Sequence, residues 1–130
     1  MILFVCSVAR LRSRTAELLC LFGGLEARSA GTSEGALNEL NDQLLKEADI
    51  VFCMEHKHRA DVSKFANFQK EKTFVLNIED EYDRLEPYLV KSLIRSVSNV
   101  DENIGEKMRN GYEVLSEKED YLKNLGTFMN

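Results

Sequence analysis

This chain has one proline, Pro87, two histidines, three cysteines and no long apolar run. Each scarcity excludes something. No stretch approaches the ~20 apolar residues that a membrane helix needs, and the N-terminus lacks a cleavable signal pattern, so we expect a cytoplasmic chain with no membrane partner. Three cysteines with no paired spacing argue for reduced thiols and against a disulfide framework. His56 and His58 lie two apart, wrong for sharing one helical face, and no Cys or carboxylate set accompanies them. We therefore expect no metal and no other cofactor. The net charge of -5 argues against a nucleic-acid surface. Residues 1–70 carry 9 basic and 9 acidic side chains and residues 71–130 carry 8 and 13, so the whole acidic excess is C-terminal. There is no internal repeat, low-complexity tract or linker. A length of 130 residues with 44% hydrophobic content suits one domain, 1–130, with a real core.

What is present starts at residue 2. Ile2-Leu3-Phe4-Val5-Cys6 is a short apolar run, and Ser7-Val8-Ala9-Arg10-Leu11-Arg12-Ser13 follows, with an arginine six positions after the cysteine and a serine beside it. If the run is a buried strand and Arg12-Ser13 opens a helix, the backbone N–H groups of the loop converge into a nest for an oxyanion such as phosphate. A thiol at the mouth of such a nest, near a helix N-terminus and an arginine, is favoured as the thiolate, the form that attacks. Cys6 then serves as nucleophile. Arg12 holds two phosphoryl oxygens at once, which lysine cannot do with the same geometry. The Ser13 hydroxyl donates to the Cys6 sulfur and assists its departure when a phosphocysteine is hydrolysed. This two-step route needs no metal. The phosphate-binding set is Ser7, Val8, Ala9, Arg10, Leu11, Arg12 and Ser13. The plain alternative is a buried free cysteine at a strand end. The apolar run before, the serine after and the helix-like stretch downstream favour the nucleophile.

Strand and helix patterns alternate along the chain, the signal of a parallel α/β sheet wound on both faces. Ile2–Cys6 reads as strand one and Ser13–Phe22 as a helix with Leu18, Leu19 and Phe22 inward, stopped by Gly23-Gly24. Leu25–Ser29 reads as a short second strand. A helical pattern from Leu37 carries Leu40, Leu44, Leu45 and Ala48. Ile50–Met54 is a continuous apolar run of the kind buried on both faces, followed by a helix with Val62 and Phe65, then Thr73–Ile78 as strand four. Pro87 suits the first turn of a helix whose inward face is Leu89, Val90, Leu93, Ile94 and Val97. In the tail, Ile104, Met108, Tyr112 and Leu115 recur at helical spacing, with Gly111 a weak point. This tail either packs to finish the core or docks a partner. An acidic cluster, Glu79-Asp80-Glu81-Tyr82-Asp83, follows strand four, and a carboxylic acid there can protonate a departing oxygen; the alternative is a solvated loop.

Residues 2–17, ILFVCSVARLRSRTAE, resemble the signature of the low-molecular-weight protein tyrosine phosphatases: a strand, Cys, five residues, Arg, Ser and then Ala-Glu on the helix. The resemblance continues in Arg28-Ser29-Ala30-Gly31-Thr32 and Ala48-Asp49-Ile50-Val51-Phe52-Cys53-Met54-Glu55 and in a strand ending near Asp80. It covers about residues 1–97 and is closest to a short bacterial subgroup, leaving 101–130 as a helical extension. It implies an α/β fold with a four-stranded parallel doubly wound sheet in order 2-1-3-4, helices on both faces, and a site at the carboxyl ends of the strands. It also implies a protein tyrosine phosphatase: Cys6 and Arg12 as above, Asp80 as the general acid with Asp83 as runner-up, and Tyr82 as an aromatic rim. The implied substrate is a phosphotyrosine protein or a small phosphate ester. Three residues depart from the family pattern. Ala9 stands where Asn is usual, so the loop is either reshaped or strained in a left-handed backbone at about 1–2 kcal/mol. Arg14 and Glu81 stand where Pro is usual. A phosphate- or phosphoprotein-binding module with weak turnover is thus one alternative, and an arsenate reductase of the same fold is another. The thioredoxin-coupled arsenate reductases need two further cysteines. Cys53 lies near one such place, but Ala60 stands seven residues later, so that relay is not expected.

Overall fold

The computed structural model describes residues 1–80 and 86–129, with side chains through residue 119. Four strands, β1 (Ile2–Cys6), β2 (Ala27–Gly31), β3 (Ile50–Cys53) and β4 (Thr73–Val75), pair in parallel in the order β2-β1-β3-β4. Among the described residues five α-helices accompany them: α1 (Arg12–Phe22), α2 (Asp42–Glu47), α3 (His56–Val62), α4 (Pro87–Val100) and α5 (Glu102–Met129).

Strand β1 is central and buried along its whole length, so its alternating side chains feed two cores. Ile2, Phe4 and Cys6 face α1, α4 and α5, where Phe4 stacks on Phe52 with ring centroids 5.4 Å apart. Leu3 and Val5 face the other side, against Leu44 and Leu45 of α2 and Val62 of α3. The sheet is therefore doubly wound with helices on both faces, as expected. Helix α4 buries the five residues its spacing singled out, and the Glu86 carboxylate accepts from the N–H groups of Tyr88 and Leu89 ahead of Pro87 in the first turn.

Several elements differ from the sequence reading, each for a local reason. Strand β2 starts two residues late because the Leu25 N–H bonds the Cys20 carbonyl and keeps Leu25 in the turn that closes α1. The inward residues of α1 are Ala16, Leu19 and Cys20 rather than Leu18 and Phe22, which are half-buried. No helix begins at Leu37. Residues 38–40 run beside β2, with Asn38 and Leu40 exchanging backbone bonds with Gly31, until the Asn41 side chain accepts from the Leu44 N–H at 3.0 Å and starts α2. Leu37 is left exposed. Helix α3 closes at Val62, before Phe65. Strand β4 ends at Val75, although Leu76 and Ile78 still donate to the carbonyls of Cys53 and Met54. Between them Asn77 adopts a left-handed backbone (φ 57°), a conformation that Asn tolerates better than most residues. This kink brings the chain to Asp80.

Helix α5 packs on α1 and α4, burying Ile104 and Met108. It runs unbroken through Gly111, which is a contact point and not a weak one: a Cβ there would fall onto the Leu19 carbonyl oxygen. Among the described residues no helix is long and apolar enough to cross a membrane.

Gly111→Ala separates propensity from packing. Helix propensity alone would stabilise the alanine variant by roughly 1 kcal/mol, whereas overpacking against backbone costs about 1–3 kcal/mol. Chemical denaturation is expected to show net destabilisation, and a gain in stability would mean that α5 does not approach α1 at this point.

Candidate active site

The site forms where β1 ends. Cys6 closes the strand and the chain loops over residues 7–11 before α1 begins at Arg12 with no side-chain cap, so the first helical N–H groups face the loop. The carbonyls of Cys6, Ser7 and Val8 accept from the N–H groups of Thr32 (2.9 Å), Ser33 (2.9 Å) and Leu37 (3.1 Å) in the segment after β2. Among the described residues no peptide bond is cis. In a trans peptide the carbonyl and the next N–H point in opposite directions, so the N–H groups of Ser7, Val8 and Ala9 point away from that segment. The Ala9 N–H reaches the Cys6 sulfur at 3.3 Å. Gly31 permits this arrangement, since a Cβ there would lie 2.6 Å from the Ser7 carbonyl oxygen. Nothing local in the sequence marks a glycine whose neighbour is a loop 24 positions earlier.

Ala9 holds φ 60°, so the loop keeps the left-handed turn and accepts the strain. Arg14, at the second departure, pairs with the Glu17 carboxylate, which also accepts from the Ser29 N–H at 2.9 Å and so ties α1 to β2, while Glu81, the third, lies outside the described residues.

Three cysteines are buried, but only one is surrounded by donors. Cys6 Sγ lies 2.9 Å from Ser13 Oγ. Burial pushes the Cys20 thiol up to about 12, with Glu17 adding to the effect, and burial likewise raises Cys53 to about 12 against the opposing Arg59 cation. Those two are core thiols without access to the thiolate.

Arg12 is 2% exposed. Its Nη1 donates to Glu55 Oε2 (2.6 Å) and to the Ile78 carbonyl (2.8 Å), and among the described residues the edge formed by Nε and Nη2 makes no hydrogen bond. Nε lies 3.7 Å from Asp80 Oδ1. The Arg12 hydrogen bond, against an opposing effect of burial, holds the Glu55 carboxyl below its usual range. Asp80 joins Cys6, Ser7, Val8, Leu11 and Arg12 around a pocket of about 80 Å³. That is well below the roughly 300–1,000 Å³ of drug-sized sites, so it admits a small group and leaves the rest of a substrate outside. Arg10 is exposed and does not line the pocket. Tyr82 and Asp83 lie outside the described residues.

Two residues escaped the sequence reading. Glu55 entered it only as part of a longer match, although an acid immediately after a buried parallel strand is positioned for this edge. His58 was set aside and is wholly buried behind the loop. Its Nδ1 accepts from the Glu55 backbone N–H (3.0 Å) and its Nε2 meets Ser7 Oγ (3.0 Å). Burial, reinforced by the Arg12 cation, lowers its pKa to about 4. Among the described residues no group of three or more His, Cys, Asp and Glu side chains is placed to hold a metal ion.

No protein-family model matches the chain, and no curated protein matches it in sequence. Solved structures are similar in fold. The tyrosine phosphatase Wzb from Escherichia coli, in complex with phosphate, has a TM-score of 0.60 at 20% identity over 82% of this chain and 90% of its own. The YwlE arginine phosphatase from Geobacillus stearothermophilus has a TM-score of 0.54 at 20% identity over 90% and 93%. A low-molecular-weight protein tyrosine phosphatase from T. tengcongensis has a TM-score of 0.50 at 21% identity over 90% and 97%. The chain has the fold of the low-molecular-weight protein tyrosine phosphatases, with the sheet order that the resemblance implied.

Burial of His58, which depresses its pKa, makes stability depend on pH. Between about pH 4 and the unfolded value near 6.5 the unfolded chain binds a proton that the folded one refuses, so stability is full above that window and is lost as pH falls through it. Thermal melts of the wild type are expected to show Tm falling from pH 6.5 to 4, with a flatter profile in His58→Gln. An equal slope in both proteins would place the titration elsewhere.

Proposed function

We propose that the chain is a metal-independent, cysteine-dependent phosphomonoester hydrolase of the protein tyrosine phosphatase type, acting in the cytoplasm on phosphotyrosine or a similar small phosphate ester. The observation that carries this reading is the meeting of Cys6, Arg12 and Asp80 around one small pocket at the carboxyl edge of the sheet, with Ser13 against the Cys6 sulfur. The thiolate of Cys6 attacks phosphorus in line. The S–P bond forms as the ester P–O bond breaks, and Asp80 passes its proton to the departing oxygen. The Nε–Nη2 edge of Arg12 and the loop N–H groups hold the equatorial oxygens as charge shifts among them. Water then attacks the phosphocysteine with Asp80 taking its proton. The S–P bond breaks, Ser13 stabilises the returning thiolate, and phosphate leaves. The small pocket fits this division of labour, since only the phosphoryl group has to enter.

A second reading, a phosphate- or phosphoprotein-binding module with little turnover, is favoured by the strained Ala9. Hydrolysis of an aryl phosphate by the wild type, Cys6→Ser and Asp80→Asn decides between them. The hydrolase reading expects Cys6→Ser to fall to background, Asp80→Asn to lose about 10²–10⁴-fold in kcat, and vanadate to inhibit. Equal background rates in all three proteins, with phosphate still raising Tm, would establish the binding module.

A further inference from the structure

His58 is a buried titratable group that the mechanism above does not use, and its hydrogen bonds determine what it does. The Glu55 backbone N–H donates to Nδ1 at 3.0 Å, so Nδ1 carries no proton. A neutral imidazole then has its proton on Nε2. Nε2 lies 3.0 Å from Ser7 Oγ, so it donates and the serine oxygen accepts. A hydroxyl has one O–H donor and two lone pairs. With one lone pair occupied by His58, the Ser7 O–H remains to be placed, and among the described residues His58 is the hydroxyl's only hydrogen-bond partner. Ser7 also lines the pocket that contains Cys6, Arg12 and Asp80.

We propose that the Ser7 hydroxyl is a substrate-facing donor of the phosphate pocket and that His58 is the positioning residue that aims it. An unaccompanied serine could turn its proton toward the protein or toward the ligand. The fixed imidazole tautomer removes the first choice, because Nε2 already carries a proton and cannot accept another. The backbone N–H of Glu55 thus acts through the ring on a hydroxyl 48 residues away in sequence. The same capping contact that starts α3 orients a group in the loop after β1. This deepens the hydrolase reading and rests on it for its effect on turnover, whereas its effect on oxyanion binding stands alone.

Binding of vanadate, measured by calorimetry on the full chain, tests the assignment together with kcat and KM for an aryl phosphate. Ser7→Ala is expected to weaken vanadate binding about tenfold to a hundredfold, the range for loss of a hydrogen bond to a charged group, and Ser7→Thr to keep most of it. His58→Leu should cost a similar factor when Ser7 is present and nothing more in the Ser7→Ala background, while His58→Gln, which retains an N–H near the Nε2 position, should recover part of the loss. A purely structural histidine would cost the same in both backgrounds. That result, or wild-type vanadate affinity in Ser7→Ala, would overturn the proposal. If His58→Leu does not fold, the comparison of Ser7→Ala with Ser7→Thr decides. A wild type that binds vanadate but hydrolyses nothing, with Ser7→Ala still losing affinity, would sink the hydrolase reading and leave this assignment standing.

Discussion

Arg12 is a cation withdrawn from water, and the carboxyl edge of the sheet is organised around pairing it. A buried guanidinium without partners costs several kcal/mol. Here Glu55, two residues beyond β3, and the Ile78 carbonyl, just beyond β4, take one nitrogen, so the start of α1 is tied to the chain leaving two other strands. The remaining edge is thereby oriented toward the pocket and Asp80. Removing the Glu55 carboxylate would take away the nearer of the two carboxylates on this charge and one of the two hydrogen bonds that fix its orientation, leaving the Ile78 carbonyl and the more distant Asp80.

The loop itself stores strain. Ala9 in a left-handed backbone costs about 1–2 kcal/mol, and three carbonyl hydrogen bonds to the segment after β2, with the Ala9 N–H on the Cys6 sulfur, offset it. Each net hydrogen bond contributes roughly 1 kcal/mol, so the balance closes without a glycine in the loop. The second departure, Arg14, is accommodated differently, by its ion pair with Glu17 on the next turn of α1. Ala9 and Arg14 thus both have local partners.

Sheet order, two-faced winding and the inward face of α4 were legible because they depend on apolar periodicity and on a resemblance carried by contiguous residues. The grouping of Cys6, Arg12 and Ser13 was legible because it lies within one turn of chain. The segment from Leu37 was misread because leucines at helical spacing say nothing of the backbone bonds between Gly31 and residues 38–40, which hold the chain extended there. His58 was overlooked for a related reason. Local spacing relates His58 only to His56 on one helix, whereas the partner that matters is Ser7, 51 positions earlier. Gly31 likewise has its meaning in a contact with a distant loop. Long-range complementarity of this kind leaves no periodic trace.

Chemical trapping of the intermediate tests the central claim most directly. The wild type, mixed with an aryl phosphate and quenched within one turnover in denaturing alkali, should yield a peptide spanning Cys6 that carries one phosphoryl group by mass spectrometry, and vanadate should abolish the label. Turnover that proceeds with no phosphorylated peptide, or with the group on a residue other than Cys6, would contradict the account.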